Sequence, residues 1–226
     1  VSGWCKQLDE RGVEMALRAV LWIAASYVLG SIPFGLVVSK LKFHQDLREL
    51  GSGNIGATNV LRNFGASAFV AVMIMDMAKG VAAVAVGRAL GLGPSMSLLA
   101  GLASIVGHNW SLFLRFKGGK GIATSGGVII AAYPWQVSVA VVGVFLVMVL
   151  LTRIMSVGSI SAAVAFPVST FLVLRADLDA YWPHLAVSCL AAAFAMYKHR
   201  ENMARLARGE EPGVGLKRPK EGEVGS

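Results

Sequence analysis

The chain has 226 residues, of which 55% are hydrophobic and 15% charged, and its mean hydropathy is +0.63. Because an average soluble domain carries about 25% charged residues, this composition indicates a protein that folds in a lipid bilayer. The formal net charge of +8 does not indicate nucleic-acid binding, because the Lys and Arg residues lie between apolar runs and near the C-terminal end. That distribution is typical of cytoplasmic loops beside anionic headgroups and phosphorylated substrates.

Seven apolar segments predict an all-α, polytopic membrane bundle. In chain order they are 15–39, 67–90, 95–114, 121–133, 135–152, 157–174 and 180–197. The fourth is shorter than the roughly 20 residues that a helix needs to cross the hydrocarbon core. It is therefore predicted to be broken or tilted and shielded by its neighbours. A single crossing over 121–152, giving six spans, is the alternative.

The distribution of positive charge favours seven crossings. With seven, the polar segments 51–62, 115–121 and 198–202 lie on one side of the membrane, with fifteen of the 21 Lys and Arg residues. The excess of Lys and Arg on that side predicts that the N-terminus is outside and the C-terminus cytoplasmic. The predicted domains are an N-terminal periplasmic segment (1–14), the membrane domain (15–203) and a basic cytoplasmic tail that frays into disorder (204–226).

The first polar segment, GSGNIGATNVLR (51–62), has the composition of an anion-binding loop. Glycine lets backbone amides approach an anion, neutral side chains add donors, and an arginine fork suits phosphate. A short helix starting at Gly56 would also favour an anion at its N-terminus. A polar loop with glycine turns is the alternative. The candidate binding residues are Ser52, Gly53, Asn54, Thr58, Asn59 and Arg62.

The second segment, FKGGKGIAT (116–124), resembles a phosphate loop in composition. It is not a Walker A motif, because Leu114 stands where that motif requires its first glycine. Two cations on a glycine-rich backbone would hold phosphate at the membrane surface, although a plain positive-inside loop would also explain the lysines. The candidate residues are Lys117, Gly118, Gly119, Lys120, Gly121 and Thr124.

The third segment, KHRENMAR (198–205), is either an ordinary charged helix end or part of a site. His199 and Asn202 would share a helical face. A histidine there would serve as a base or orient a hydroxyl group.

Two further groups are candidates for supporting or binding roles. Asp76 and Lys79 are three residues apart inside a predicted span, where charges are costly and usually paired. His108, Asn109 and Trp110 lie near the inner end of another span and could be interfacial anchors; His108 is also a candidate binding residue. No HExxH motif, His/Cys cluster or carboxylate group predicts a metal site, and no Ser-His-Asp signature is visible.

Taken together, these segments resemble the bacterial membrane acyl-phosphate:glycerol-3-phosphate acyltransferases. The resemblance extends from about residue 30 to about residue 205. Its blocks are GSIPFG (30–35), GSGNIGATNVLR (51–62), DMAKG (76–80), GHNW (107–110), FKGGKGIAT (116–124) and HREN (199–202).

The resemblance implies a seven-helix enzyme of the bacterial inner membrane with its active site at the cytoplasmic face. Such an enzyme transfers an acyl group from acyl phosphate to the 1-hydroxyl of glycerol 3-phosphate, giving lysophosphatidic acid and phosphate. It needs no acyl-CoA or acyl carrier protein, and neither cofactor nor metal is expected. Membrane lipids are its surroundings.

The resemblance also implies roles for individual residues. Ser52 and Arg62 would hold substrate phosphate, and the FKGGKG block would form the phosphate cradle. His199 and Asn202 would bind the glycerol part, whereas Glu201 is expected to be structural. The candidate catalytic residues are His199, Asn202, Arg62 and Lys120.

Two other functions are compatible with basic membrane loops. A transporter for a phosphorylated metabolite would need a site near the midplane that is open to both faces, whereas these polar blocks cluster on one face. A phosphatase or transferase acting on lipid phosphates would commonly need a nucleophile or a metal, and neither is evident.

Overall fold

The computed structural model describes residues 2–213, with side chains from Gly12 onward. All regular secondary structure in this range is helical. The helices are α1 (Ser2–Ser31), α2 (Phe34–Phe43), α3 (Ala57–Phe64), α4 (Ala66–Ala89), α5 (Pro94–Asn109), α6 (Ile122–Ala132), α7 (Trp135–Thr152), α8 (Met155–Leu174), α9 (Leu178–Lys198) and α10 (Arg200–Ala207).

Five helical stretches of the described chain are long and apolar enough to cross a membrane. They are Gly12–Phe43, Ala66–Ala89, Pro94–Leu114, Trp135–Thr152 and Met155–Lys198. The last stretch contains both α8 and α9, which are joined by one 3₁₀ turn and pack against each other. The apolar helix α6 is shorter than these spans.

The first predicted span, 15–39, is divided in the structure between α1 and α2. The break falls at Ile32 and Pro33, where the proline ring cannot continue the helix hydrogen bonding. The ammonium group of Lys79 donates to the carbonyls of Gly30 and Ile32, both at 2.9 Å. A buried cation therefore satisfies backbone groups that the break leaves without helical partners.

The short helix α6 lies against three other helices, with Ile130 exposed. It packs against α4, α5 and α7. Glycines allow the close approach to α4: a Cβ on Gly80 would lie 2.2 Å from the Thr124 carbonyl oxygen, and one on Gly127 would lie 2.0 Å from that of Met77. Small residues at such crossings are the usual means of helix packing in membranes.

The prediction that the chain frays from Ala204 onward is wrong for residues 204–213. Helix α10 continues to Ala207, and Glu211 beyond it is buried. The reason is electrostatic, since the Glu211 carboxylate accepts hydrogen bonds from Asn202 and Arg205 of α10 and from Ser156 of α8. The rest of the predicted tail, 214–226, lies outside the described residues.

Candidate active site

A cavity of about 440 Å³ opens where the three polar segments meet. One end is polar, and the remainder runs between apolar side chains of α4, α6, α7, α8 and α9. The predicted site residues that line it are Ser52, Asn54, Thr58, Asn59, Arg62, His108, Lys120, Gly121, His199 and Asn202. Its apolar walls include Phe69, Met73, Val142, Phe145, Phe166 and Ala191.

The first loop is held in shape by the buried amide of Asn59. Its Nδ2 donates to the carbonyls of Leu47, Leu50 and Asn54, and its Oδ1 accepts from the backbone N–H of Ser52. Asn59 thus lines the cavity but uses its polar atoms to fix the loop. Gly53 does not line the cavity; its φ of +68° shows that it is needed for the turn.

Arg62 stands in the last turn of α3, whose N-cap is Gly56, the residue at which the short helix was predicted to start. One guanidinium nitrogen donates to the carbonyl oxygen of Pro212 at 2.9 Å. This contact joins the first polar loop to the segment after α10. The cation therefore lies at the polar end of the cavity, between the loop and the C-terminal segment.

In the second loop, only part of the predicted cradle reaches the cavity. Lys120 and Gly121 line it, whereas Lys117 is exposed and does not. Gly118 and Gly119 lie against α5 instead: the Gly119 amide donates to the carbonyl of His108 at 2.9 Å, and a Cβ on Gly119 would be 2.2 Å from His108 Nε2. These glycines are required by packing.

Thr124 does not line the cavity either. It is fully buried within α6, and its carbonyl lies beside Gly80 on α4. Of the FKGGKGIAT residues predicted to bind substrate, the structure therefore places Lys120 and Gly121 at the cavity and the other four outside it.

Lys120 is a half-buried cation at the cavity. Its ammonium group donates to Oδ1 of Asn202 at 2.5 Å. Burial lowers the pKa of Lys120 from 10.5 to about 8; the Glu211 carboxylate acts against this shift, and Arg205 and Arg62 act with it. The lysine is thus positively charged at neutral pH, with part of its hydration already removed.

His199 lies between α9 and α10 and is 2% exposed. Its Nδ1 is 2.7 Å from the carbonyl oxygen of Ala195. A carbonyl only accepts, so Nδ1 carries the proton and Nε2 keeps its lone pair. Burial, and then the charge of Lys120, lower the pKa of His199 from 6.5 to about 4. The imidazole is therefore neutral at physiological pH.

Ser156 and Glu211 also line the cavity, and neither was predicted from the sequence. Ser156 Oγ donates to Glu211 Oε1 at 2.8 Å. Ser156 is the second residue of α8 and follows Arg153, one of the positive residues predicted to lie on the side of the three polar segments, which is a weak signal. Glu211 lies in a charged stretch of the sequence, and nothing in that stretch distinguishes it from its charged neighbours.

The predicted pairing of Asp76 with Lys79 is confirmed. Lys79 Nζ is 2.9 Å from Asp76 Oδ1, and both side chains are almost fully buried. His108 Nδ1 lies 3.1 Å from Lys79 Nζ and 3.6 Å from Asp76 Oδ1. The alternative that His108 is an interfacial anchor is wrong, because it is 5% exposed. The cluster connects the break after α1 with the second loop through His108 and Gly119.

Glu201 is not among the residues that line the cavity. Its side chain is 75% exposed, and Arg200 lies 3.8 Å away. Its place in the first turn of α10 is favourable for an acidic residue because of the helix dipole. Within residues 2–213, no group of three or more His, Cys, Asp or Glu side chains is placed to hold a metal ion.

The glycerol-3-phosphate acyltransferase family model matches residues 20–209. This chain belongs to that family. Curated relatives named glycerol-3-phosphate acyltransferase include one from Prochlorococcus marinus (strain NATL2A), 41% identical over 84% of this chain and 94% of the relative. Another, from Desulforudis audaxviator (strain MP104C), is 43% identical over 87% of this chain and 96% of the relative.

Solved structures of family members have the same fold. The glycerol 3-phosphate form of PlsY (YgiH), an integral membrane glycerol 3-phosphate acyltransferase, matches with a TM-score of 0.77 and 39% identity. It covers 88% of this chain and 96% of PlsY. The lysophosphatidic acid form matches with a TM-score of 0.74 and 36% identity.

Proposed function

We propose that this protein transfers an acyl group from acyl phosphate to the 1-hydroxyl of sn-glycerol 3-phosphate, releasing lysophosphatidic acid and inorganic phosphate. The observation that carries the proposal is the composition of the cavity along its length. Arg62, Lys120 and His199 surround its polar end, and the same space continues between apolar side chains such as Phe145 and Phe166. A phosphate and a fatty chain fit opposite ends of one such cavity.

Acyl phosphate is a mixed anhydride, so its phosphate leaves readily and no strong protein nucleophile is needed. The 1-hydroxyl oxygen attacks the acyl carbon, the new ester bond forms, and the carbon–oxygen bond to phosphate breaks with its electron pair on the phosphate. Arg62 and Lys120 stabilise the charge that develops on the carbonyl and the leaving phosphate. Holding both substrates together supplies a further part of the rate enhancement, at most about 7–11 kcal/mol.

Nε2 of His199 receives the proton of the 1-hydroxyl. Its tautomer is set by the Ala195 carbonyl, which leaves Nε2 as the acceptor. Two bound phosphate groups raise the proton affinity of a nearby imidazole, so the base strengthens when the substrates are in place. A phosphate oxygen of either substrate is the second acceptor for this proton.

The proposed topology has seven crossings, formed by α1, α4, α5, α6, α7, α8 and α9. The termini then lie on opposite sides, with the N-terminus outside and the site at the cytoplasmic face of a bacterial membrane. Two observations support it: α8 and α9 pack side by side as separate helices, and the positive residues are concentrated on the side of the polar segments.

The decisive experiment supplies purified protein in detergent or lipid cubic phase with palmitoyl phosphate and glycerol 3-phosphate, without CoA or metal. Lysophosphatidic acid and phosphate should appear in equal amounts. Both should be lost in Arg62→Ala and His199→Ala. Arg200→Ala is the matched control, because Arg200 is adjacent in sequence but exposed, and it should retain activity.

Two results would reject the proposal. An acyl-enzyme trapped after incubation with acyl phosphate alone would exclude direct transfer. If no lysophosphatidic acid forms but glycerol 3-phosphate crosses proteoliposome membranes, the protein is a transporter.

A further inference from the structure

The carboxylate of Glu211 accepts three side-chain hydrogen bonds at the polar end of the cavity. Oε1 accepts from Nδ2 of Asn202 at 2.6 Å and from Ser156 Oγ at 2.8 Å, and Oε2 accepts from Nε of Arg205 at 2.7 Å. Its side chain is 1% exposed. A carboxylate with three directed donors in a buried site is held in one position.

This carboxylate determines which way the Asn202 amide faces. A carboxylate only accepts hydrogen bonds and an ammonium group only donates them. With Glu211 on one side of the amide and Lys120 on the other, Nδ2 must face the carboxylate and Oδ1 must face the ammonium group. In the reverse orientation, the amide nitrogen would face the ammonium group, which is also a donor, and the amide oxygen would face the carboxylate, which is also an acceptor.

The location of Glu211 adds to this effect. Ser156 is the second residue of α8, so the carboxylate lies at the end of a 20-residue helix that favours an anion. Hydrogen bonds from Asn202, Ser156 and Arg205 lower the pKa of Glu211 although burial acts to raise it. The group is therefore an anion at neutral pH.

We infer that Glu211 is a positioning residue for the acyl transfer proposed above: it fixes the amide of Asn202, and through that amide it places the ammonium group of Lys120 at the polar end of the cavity. It acts through these two side chains and has no direct role toward the reacting atoms. The segment after α10 thus helps to position the side chains at the polar end of the cavity.

The charges around Lys120 predict the direction in which its pKa should change when Glu211 is replaced. Glu211 raises the pKa of Lys120, Arg205 and Arg62 lower it, and Glu201 raises it to a smaller extent. Removing the Glu211 charge leaves mainly the two arginines, so Lys120 should lose its proton at a lower pH. His199, which faces Lys120, should remain neutral.

The test compares Glu211→Gln with the matched control Glu210→Gln. Glu210 is the preceding residue, is half exposed and pairs with Arg208 at the surface. Glu211→Gln should lower kcat/KM for glycerol 3-phosphate by roughly ten- to hundredfold. It should also move the alkaline limb of the pH profile to lower pH. Glu210→Gln should match the wild type in both measurements.

Two further variants separate positioning from support of the fold. Glu211→Asp keeps the charge but withdraws it by about 1.5 Å, one carbon–carbon bond, so its rate should fall while the alkaline limb stays near the wild-type pH. In an Asn202→Ala background, Glu211→Gln should cause no further loss of rate, because two residues that act as a unit are not additive.

The outcomes are distinguishable. The inference is overturned if Glu211→Gln keeps the wild-type rate and pH profile, or if it lowers the rate in the Asn202→Ala background as much as it does alone. It is also overturned if Glu211→Gln turns over faster than the wild type, which would make Glu211 an inhibitory stand-in for phosphate. If Glu211→Gln does not fold, the reaction rate of Glu211→Asp and the alkaline limb of its pH profile test the inference instead. If the wild type itself makes no lysophosphatidic acid, the proposed function fails and not the positioning role.

Discussion

Lys120 and Asn202 are 82 residues apart in sequence, yet the ammonium group of the first donates to the amide oxygen of the second at 2.5 Å. The bond joins the glycine-rich loop before α6 to the helix after the last long span. Two polar segments that precede and follow different membrane helices thus form one site. The protonation states of Lys120 and His199 in this site should therefore determine how activity depends on pH.

The first prediction concerns activity at alkaline pH. The pKa of Lys120 is lowered from 10.5 to about 8, mainly by burial. The charged form is present below this pH and lost above it, so kcat/KM for glycerol 3-phosphate should fall about tenfold per pH unit above about pH 8. Lys120→Arg keeps its charge and should lose this limb, although its rate will be lower.

This prediction is checked by steady-state kinetics between about pH 6 and about pH 10 in detergent solution. An alkaline limb that persists unchanged in Lys120→Arg would show that another group is responsible.

The second prediction concerns the charge of His199. Burial and the nearby Lys120 lower its pKa from 6.5 to about 4, so the imidazole should stay neutral as the pH falls from about 7 to about 5. Histidine-labelled protein should show one imidazole resonance, absent in His199→Gln, that does not titrate in this range by NMR. Titration near pH 6.5 would contradict the prediction.

His199→Gln should also lower kcat by roughly 10²–10⁴-fold, the usual contribution of a general base. The exposed Arg200→Ala variant serves as its control for expression and folding.

The third prediction tests whether Gly119 is needed for packing. A Cβ at this position would be 2.2 Å from Nε2 of His108, a buried side chain. Gly119→Ala should therefore destabilise the protein by about 1–3 kcal/mol through overpacking. The control is Gly143→Ala on α7, where a Cβ has open space. Thermal unfolding in detergent measures both, and equal melting temperatures would refute the packing role.

The fourth prediction concerns the buried pair of Asp76 and Lys79. Removing one partner leaves an uncompensated charge and should cost about 3–5 kcal/mol. The double variant Asp76→Asn, Lys79→Met should be less destabilised than the sum of the two single variants, because the groups interact directly at 2.9 Å. Additive losses in thermal unfolding would show that the pair contributes no interaction energy.

Much of the architecture follows from local sequence. Long apolar runs predict the spans 67–90 and 135–152. The first matches α4 within one residue at each end, and the second has the same bounds as α7. The start of α3 after Gly56 was likewise predicted, and it follows from local glycine and helix-terminus chemistry. The division of 15–39 was missed, although Pro33 is a local signal for a helix break. The contact from Lys79 that stabilises the break comes from another helix and is not visible in the local sequence.

The candidate site divides in the same way. The sequence by itself determined the membrane environment, the polar segments and the chemistry of Arg62, Lys120 and His199, since composition, periodicity and residue type are local properties. Only the tertiary structure decided that Gly118, Gly119 and Lys117 do not reach the cavity and that Ser156 and Glu211 do. The direction of a side chain and the partners of a buried carboxylate depend on helix packing between residues far apart in the chain, which no local pattern records.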